Sequence, residues 1–285
     1  FNANLDYTGG ANDDSIDFDS TVAVVGTATI RLGDGLNNVN VNNAGSAAQF
    51  GSLQVTGGVN DDTIGFADTL TVTGAAIFNL GTADVQNTLD VTGVATFNDT
   101  LSYTGGAAID SIDFANDLTV ANLATIVLGD GTNNFNVNNV GSPAQFGSVL
   151  LTAGSGNDTV GFDDTLTVTG AASFNLGAGT NTFDVDLAAQ FNSTFNYTGL
   201  GGSDTLTFGT TLDIVGAAVI ELGDGLNTIN VLNGLTDLDS TLNITGGANT
   251  DDLNFQAITA DGDVDINLLA GSNTVDGTGA AQVNA

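Results

Sequence analysis

Aspartate is the one residue type in this chain that is abundant and chemically active. Of 285 residues, 33 are Asp or Glu, set against a single base, Arg31, for a net charge of −32. The aspartates recur in a glycine-rich segment. Gly9-Gly10-Ala11-Asn12-Asp13-Asp14-Ser15-Ile16-Asp17-Phe18 returns 48 residues later as Gly57-Gly58-Val59-Asn60-Asp61-Asp62-Thr63-Ile64-Gly65-Phe66. The sixth residue of each copy is Asp: Asp14, Asp62, Asp110, Asp158, Asp204 and Asp251. Paired acids can move protons, and two at the right separation hydrolyse glycosides. These acids follow the repeat, and none departs from it to make a unique pair, so the chain is not expected to be an enzyme.

Composition removes most other chemistry. Without Cys there is no thiolate nucleophile, disulfide or zinc-thiolate site, and without His the commonest general base is missing. One Arg and no Lys cannot grip phosphates, so neither nucleic acid nor an anionic membrane surface is an expected partner. Apolar runs such as Ala124–Leu128 fall far short of the roughly 18 residues of a spanning helix. Yet 41% of residues are hydrophobic, which a disordered acidic chain would not be.

The elements that position the aspartates are repeats. Between the Asp segments lies a second series, Leu32-Gly33-Asp34-Gly35-Leu36-Asn37-Asn38-Val39, with counterparts beginning at Leu128, Leu176 and Leu222. The two series interleave every 22 to 25 residues. Residues 1–285 therefore read as one domain of about twelve units, paired into six repeats of about 48 residues. Each unit holds short alternating runs such as Thr69-Leu-Thr-Val72 and Ser52-Leu-Gln-Val55, rich in Val, Ile, Thr and Phe and punctuated by Gly, Asn and Asp. Three strands and three turns fit about 24 residues. The predicted fold is all-β: a right-handed parallel β-solenoid (β-helix) of about 12 coils, three short strands each.

Stacked coils place equivalent residues about 4.8 Å apart in columns. One column reads Phe18, Val41, Phe66, Val91, Phe114, Val137, Phe162, Val185, Phe208, Val231, Phe255 and finally Gly277. Alternating large and small side chains lets such a stack interdigitate, at roughly 1.5–3 kcal/mol per buried side chain.

The turn segment resembles the nonapeptide of the RTX (repeats-in-toxin) family, Gly-Gly-x-Gly-x-Asp-x-apolar-x. Ala153-Gly154-Ser155-Gly156-Asn157-Asp158-Thr159-Val160-Gly161 is the nearest copy, and the segments at Gly9 and Gly57 carry Asn12 and Asn60 in the fourth place. The resemblance implies a secreted β-roll that binds calcium through the sixth-place aspartates, Asp14, Asp62, Asp110, Asp158, Asp204 and Asp251. Neighbouring carboxylates, Asp13, Asp61, Asp34, Asp130 and Asp224, would help complete the six to eight oxygens that calcium takes. RTX rolls place two nonapeptides in an 18-residue coil, whereas here one motif serves a coil of about 24.

The intervening coils put Asn in the sixth place: Asn37, Asn87, Asn133, Asn181, Asn227 and Asn273. Carboxylates in adjacent coils would repel by about 0.9 kcal/mol even at the dielectric constant of water. Alternation doubles their separation to about 9.6 Å, beyond the Debye length of about 8 Å at physiological salt. The column therefore has two readings, a calcium site between coils or an Asp/Asn stack satisfied by backbone amides.

Twelve coils make a rod about 58 Å long with one net charge per about 1.8 Å, close to duplex DNA, so cations should gather on it. No cap is legible at either end, which predicts a segment of a longer fibre or copies stacked head to tail, with lateral association through cations. The expected role is a structural fibre, filament or adhesin stalk on a bacterial surface, outside the cell, stabilised by calcium. The alternatives are a polysaccharide-active β-helix enzyme and an ice-binding solenoid with Thr-x-Thr ladders (Thr69/Thr71, Thr165/Thr167, Thr205/Thr207). Tyr7, Tyr103 and Tyr197 recur at one repeat position and read as packing residues, with a sugar-binding stripe as the alternative.

Overall fold

In a computed structural model, which describes residues 1–41, 45, 47–81, 85–137, 141, 143–277 and 281–283, the chain is a parallel β-solenoid of about 11 turns, 62% strand. Every strand pairing among the described residues is parallel and joins one coil to the next, as in Val39↔Ile64↔Leu89 or Ala76↔Leu101↔Ala124. The sequence count of twelve units includes a last coil represented by Thr274–Gly277 and Ala281–Val283, which explains the difference.

The three strands per coil build three faces. The first follows the Asp/Asn turn and includes Asn37–Val41, Asp62–Phe66 and Asn134–Val137. The second includes Leu70–Val72, Ala95–Phe97 and Leu166–Val168. The third includes Leu5–Thr8, Ala76–Asn79 and Leu101–Thr104, and leads into the next Asp/Asn turn. Some strands run through a corner, such as Ala48–Thr56, which serves the second and third faces.

The Phe/Val column is real. Val41↔Phe66↔Val91↔Phe114↔Val137↔Phe162 are in register and buried. The fold adds what the sequence reading missed, a second column on the next face in antiphase: Val24, Phe50, Val72, Phe97, Val120, Phe146, Val168 and Phe191. A coil with Phe in one column thus carries Val in the other. The third face alternates in the same way, with Leu53, Ala76, Leu101 and Ala124. Two coil shapes therefore alternate, large over small, which lets the side chains of successive coils interdigitate. Rings meet across it, as where Phe183 lies 4.7 Å from Phe174 and 5.8 Å from Phe208.

Candidate functional site: the aspartate–asparagine column

At the turn between the third and first faces, the sixth-place residues form one column, buried from Asn37 to Asp251 and partly buried at Asp14 and Asn273. Its hydrogen bonds run in one direction. The Asp14 amide donates to Asn37 Oδ1 (2.9 Å), Asn37 Nδ2 donates to Asp62 Oδ1 (2.8 Å), and the Asp62 amide donates to Asn87 Oδ1 (3.1 Å). From Asp110 onward the pattern resumes through Asn133, Asp158, Asn181, Asp204, Asn227 and Asp251 to Asn273, at 2.8–3.2 Å.

The turns dictate the alternation. In Asn coils, glycines at positive φ (Gly33 at 81° and Gly35 at 107°; Gly129 at 76° and Gly131 at 108°) leave carbonyls within reach of the sixth residue. Asn37 Nδ2 donates to the Gly33 and Gly35 oxygens at 3.1 and 3.0 Å, and Asn133 Nδ2 to the Gly129 oxygen at 3.1 Å. In Asp coils the turn offers an N–H instead. The Gly10 amide donates to Asp14 Oδ2 (2.9 Å) and the Gly106 amide to Asp110 Oδ2 (3.3 Å). Where these bonds form, one turn takes a donor and the other an acceptor, which matches an amide in one and a carboxylate in the other; Asp62, Asp158 and Asp251 Oδ2 are buried without such a bond.

The first place of the motif alternates for a steric reason. A Cβ on Gly9, Gly57, Gly105, Gly199 or Gly246 would overlap the Oδ2 of the Asp that follows in its own turn, whereas Asn coils place Leu there. The coil of Asp158 is the exception, with Ala153 in this place. Gly105→Ala should therefore force the Asp110 carboxylate away from its donors and lower stability by about 2–4 kcal/mol. Gly10→Ala, where nothing lies within 4 Å of the new Cβ, should be close to neutral. Chemical denaturation of the two variants measures the difference.

Tyrosines back the column at intervals of four coils. Tyr7 Oη donates to Asp14 Oδ1 (3.2 Å) and Tyr103 Oη to Asp110 Oδ1 (2.9 Å), while Tyr197 is buried beside Asp204. Tyr103 and Tyr197 are buried core residues, so they offer no sugar-binding stripe. Their place seven residues before an Asp was the signal that sequence reasoning left unused.

Burial governs the acids. Removal from water pushes Asp62, Asp110 and Asp204 up to about 6 and raises Asp158, against the lowering effect of hydrogen bonds from the neighbouring coils and turns. Burial also carries Tyr103 and Tyr197 well above the usual phenol value, with Asp110 and Asp204 adding repulsion to the phenolate.

The five companion aspartates lie outside the column and clip successive coils together. Asp13 Oδ1 accepts the Leu36 amide (2.9 Å), Asp34 Oδ1 the Val59 amide (3.1 Å), and Asp61 Oδ1 the Val85 and Gln86 amides (2.7 and 3.0 Å). Asp130 Oδ1 accepts both the amide and hydroxyl of Ser155 (2.8 Å each), and Asp224 Oδ1 accepts the Ala248 amide (2.8 Å). Among the described residues no three acids converge into a group that could hold a metal ion, so carbonyls would have to complete any calcium site.

The Thr-x-Thr pairs do not share a surface. Thr71 and Thr167 point outward on the second face, whereas Thr205 and Thr207 lie on the first, stacked on Thr182 and Asp184. Arg31 meets Asp6 in an exposed ion pair at 2.6 Å.

The fold and column define a parallel β-solenoid repeat protein whose coils come in two alternating kinds. No family model, curated protein or solved structure matches the chain.

Proposed function

We propose that this chain is a passive structural rod, an element of an extracellular fibre, filament or adhesin stalk on a bacterial surface. The observation that carries the reading is the Asp/Asn column, hydrogen-bonded from Asp14 to Asn87 and again from Asp110 to Asn273, in which the repeated acids are committed to joining one coil to the next. No member departs from the pattern to make a catalytic pair. Clefts on the sides run from about 160 Å³ beside Thr119, Gln145 and Thr167 to about 340 Å³ beside Glu221, Asn243 and Asp265, at or below the low end of the roughly 300–1,000 Å³ of ordinary ligand pockets. Outward acids keep rods soluble and mutually repelling. Immunogold labelling of intact producing cells should decorate the outer surface, and labelling confined to the cell interior would overturn the reading.

Cations enter this reading as an atmosphere around the rod. The RTX-like turn adds calcium as the ion to test, with Asp13, Asp34, Asp61, Asp130 and Asp224 as the carboxylates that would take part. Thermal melts after chelator treatment should rise alike with calcium and with magnesium at matched ionic strength. A rise specific to calcium, lost on Asp130→Asn and Asp224→Asn, would instead establish sites between coils.

A further inference from the structure

The acids are spread unevenly around the rod. The outward rows of the first face carry Asp17, Asp90, Asp113, Asp184, Asp252 and Asp276. On the second face and its edge Asp213, Asp239 and Asp261 all repel Asp237. The third face differs. Among the described residues its two outward rows hold only Asp6, Glu221 and Asp265 of the 33 acids. They also hold the chain's single base, Arg31, which pairs with Asp6 at 2.6 Å. From Thr29 to Thr245 the rows are otherwise Thr, Ser, Asn and Gln, with Ile77, Val127, Leu150 and Val219 set among them. Ile77 is 38% exposed and Leu150 40%. A rod of net charge −32 thus has one face of parallel strands on which, from Thr29 to Thr245, Arg31 and Glu221 cancel.

The face is complementary to itself. Numbered from the coil of Tyr7, Arg31 stands in the second coil, Val127 in the sixth and Glu221 in the tenth, all in one outward row. Arg31 and Glu221 therefore lie equally far from Val127, on either side of it. Consider a two-fold axis between two such faces, directed along the strands at the sixth coil. It reverses the order of the coils and sets each row against itself. Arg31 of one copy then faces Glu221 of the other, twice in the pair. Between these charges Thr meets Thr and Asn meets Asn, about Val127. In the other row Ile77 faces Ser173 and Leu150 faces Ser102, so each exposed apolar side chain meets a small one. Asp6 faces Asn243, and no acid faces an acid. A two-fold axis along the rod would set one row against the other and put Arg31 opposite Thr29, so the charge pair selects the reversed arrangement.

We infer that this chain pairs side by side with a second copy of itself, third face on third face and in reversed coil order, with Arg31 of each copy on Glu221 of the other. Charge selects both the face and the occupant. The first and second faces would bring acids against acids, whereas the third offers each copy the opposite charge at the matching place. Packed sheets stand about 10 Å apart, a gap that long Arg and Glu side chains bridge between them. Nine coils at about 4.8 Å by four residues at about 3.3 Å give roughly 570 Å² of face per copy. The pair therefore covers about 1,100 Å², above the roughly 1,000 Å² that a biological interface should clear. The contact is isologous, so it closes on two copies.

The pairing goes beyond the reading of the chain as a structural rod and does not depend on it. Sedimentation velocity of the purified chain, at about tens of micromolar in roughly 0.15 M NaCl, should find two copies per particle. Arg31→Glu and Glu221→Arg each turn two attractions into two repulsions, and each variant alone should weaken pairing about tenfold or more while melting close to the parent. Mixed in equal amounts, the two variants should pair again, because each then meets its opposite charge at both places. The chain has no Cys, so single cysteines fix the geometry. A short bis-maleimide should join two copies through Val127→Cys, which sits on the two-fold axis. It should not join them through Thr245→Cys, whose copies would stand about 48 Å apart. A parent that stays single, variants that pair as well as the parent, a mixture that does not recover, or joining through Thr245→Cys in place of Val127→Cys would overturn the pairing. Single rods found on the cell surface would sink the pairing and leave the structural reading standing.

Discussion

Replacing Asn133 by Ala is expected to cost about 3–5 kcal/mol. The Asn133 amide oxygen accepts the Asp110 N–H at 2.9 Å, and its Nδ2 donates to the Gly129 oxygen at 3.1 Å with the Gly131 oxygen 3.4 Å away. Alanine leaves a buried N–H and inward carbonyls unmet, and each such group costs about 1–3 kcal/mol. Asn133→Asp separates shape from hydrogen-bond sense. It keeps the volume but turns a donor into an acceptor facing carbonyls, and it lines up three consecutive carboxylates at about 4.8 Å spacing. At neutral pH it should be at least as damaging as alanine. At pH 4, where the new acid can carry a proton and donate again, most of the loss should return. Denaturant titrations at both pH values measure this, and equal losses at the two would mean that hydrogen-bond sense is not what selects Asn.

The second large effect is a pH dependence opposite to ordinary acid denaturation. Asp62, Asp110 and Asp204 stand at about 6 in the folded chain, raised from 3.8 by burial. An acid with a raised folded value binds more protons folded than unfolded. Its stabilising contribution is full below about pH 4, falls as pH rises to about 6, and is absent above that. A rise of about two units corresponds to up to about 3 kcal/mol per residue. The exposed Asp130 acts the other way, because the Ser155 amide lowers it, so its contribution is lost only as pH falls below the ordinary carboxylate range. Stability should therefore peak near pH 4–5 and decline toward pH 7, by more than about 5 °C in Tm. Relief of the overall negative charge acts in the same direction but is screened by salt, whereas the buried acids are not. Melting curves at pH 4.5 and 7.5 in 0.5 M NaCl decide the matter, and a Tm that is flat or higher at 7.5 would contradict the burial of these carboxylates.

Much of the architecture was legible because a solenoid repeats its physics in every coil. The interval of 22 to 25 residues fixed the coil, and the Phe18–Val41–Phe66 series fixed an inward column. The Asp/Asn alternation was visible too, but its cause was only half seen. Repulsion between like charges accounts for avoiding adjacent Asp residues. It does not explain why Asn falls in coils with Gly33-Asp34-Gly35 and Asp in coils with Gly57-Gly58. That depends on whether a turn points C=O or N–H at the column, a backbone orientation set by φ at Gly33 and Gly35. The antiphase column of Val24, Phe50 and Val72 also escaped, because pairing it with Phe18 and Val41 requires knowing which strands enclose the same slice of core. The outer acids illustrate the other limit. Asp13 and Asp61 lie beside Asp14 and Asp62 in sequence, yet they reach outward to amides of the following coil, which spacing alone does not reveal.

Hydrogen exchange at the column amides of Asp14, Asp110, Asp158 and Asp204, followed in the presence of chelator, tests most directly whether the Asp/Asn column joins the coils. The expected result is that the amides of Asp110, Asp158 and Asp204 exchange only through global unfolding, together with core-strand amides such as that of Val160, with the part-buried Asp14 amide somewhat faster. Exchange of the three inner amides as fast as that of exposed turn amides, while the core strands stay protected, would contradict it.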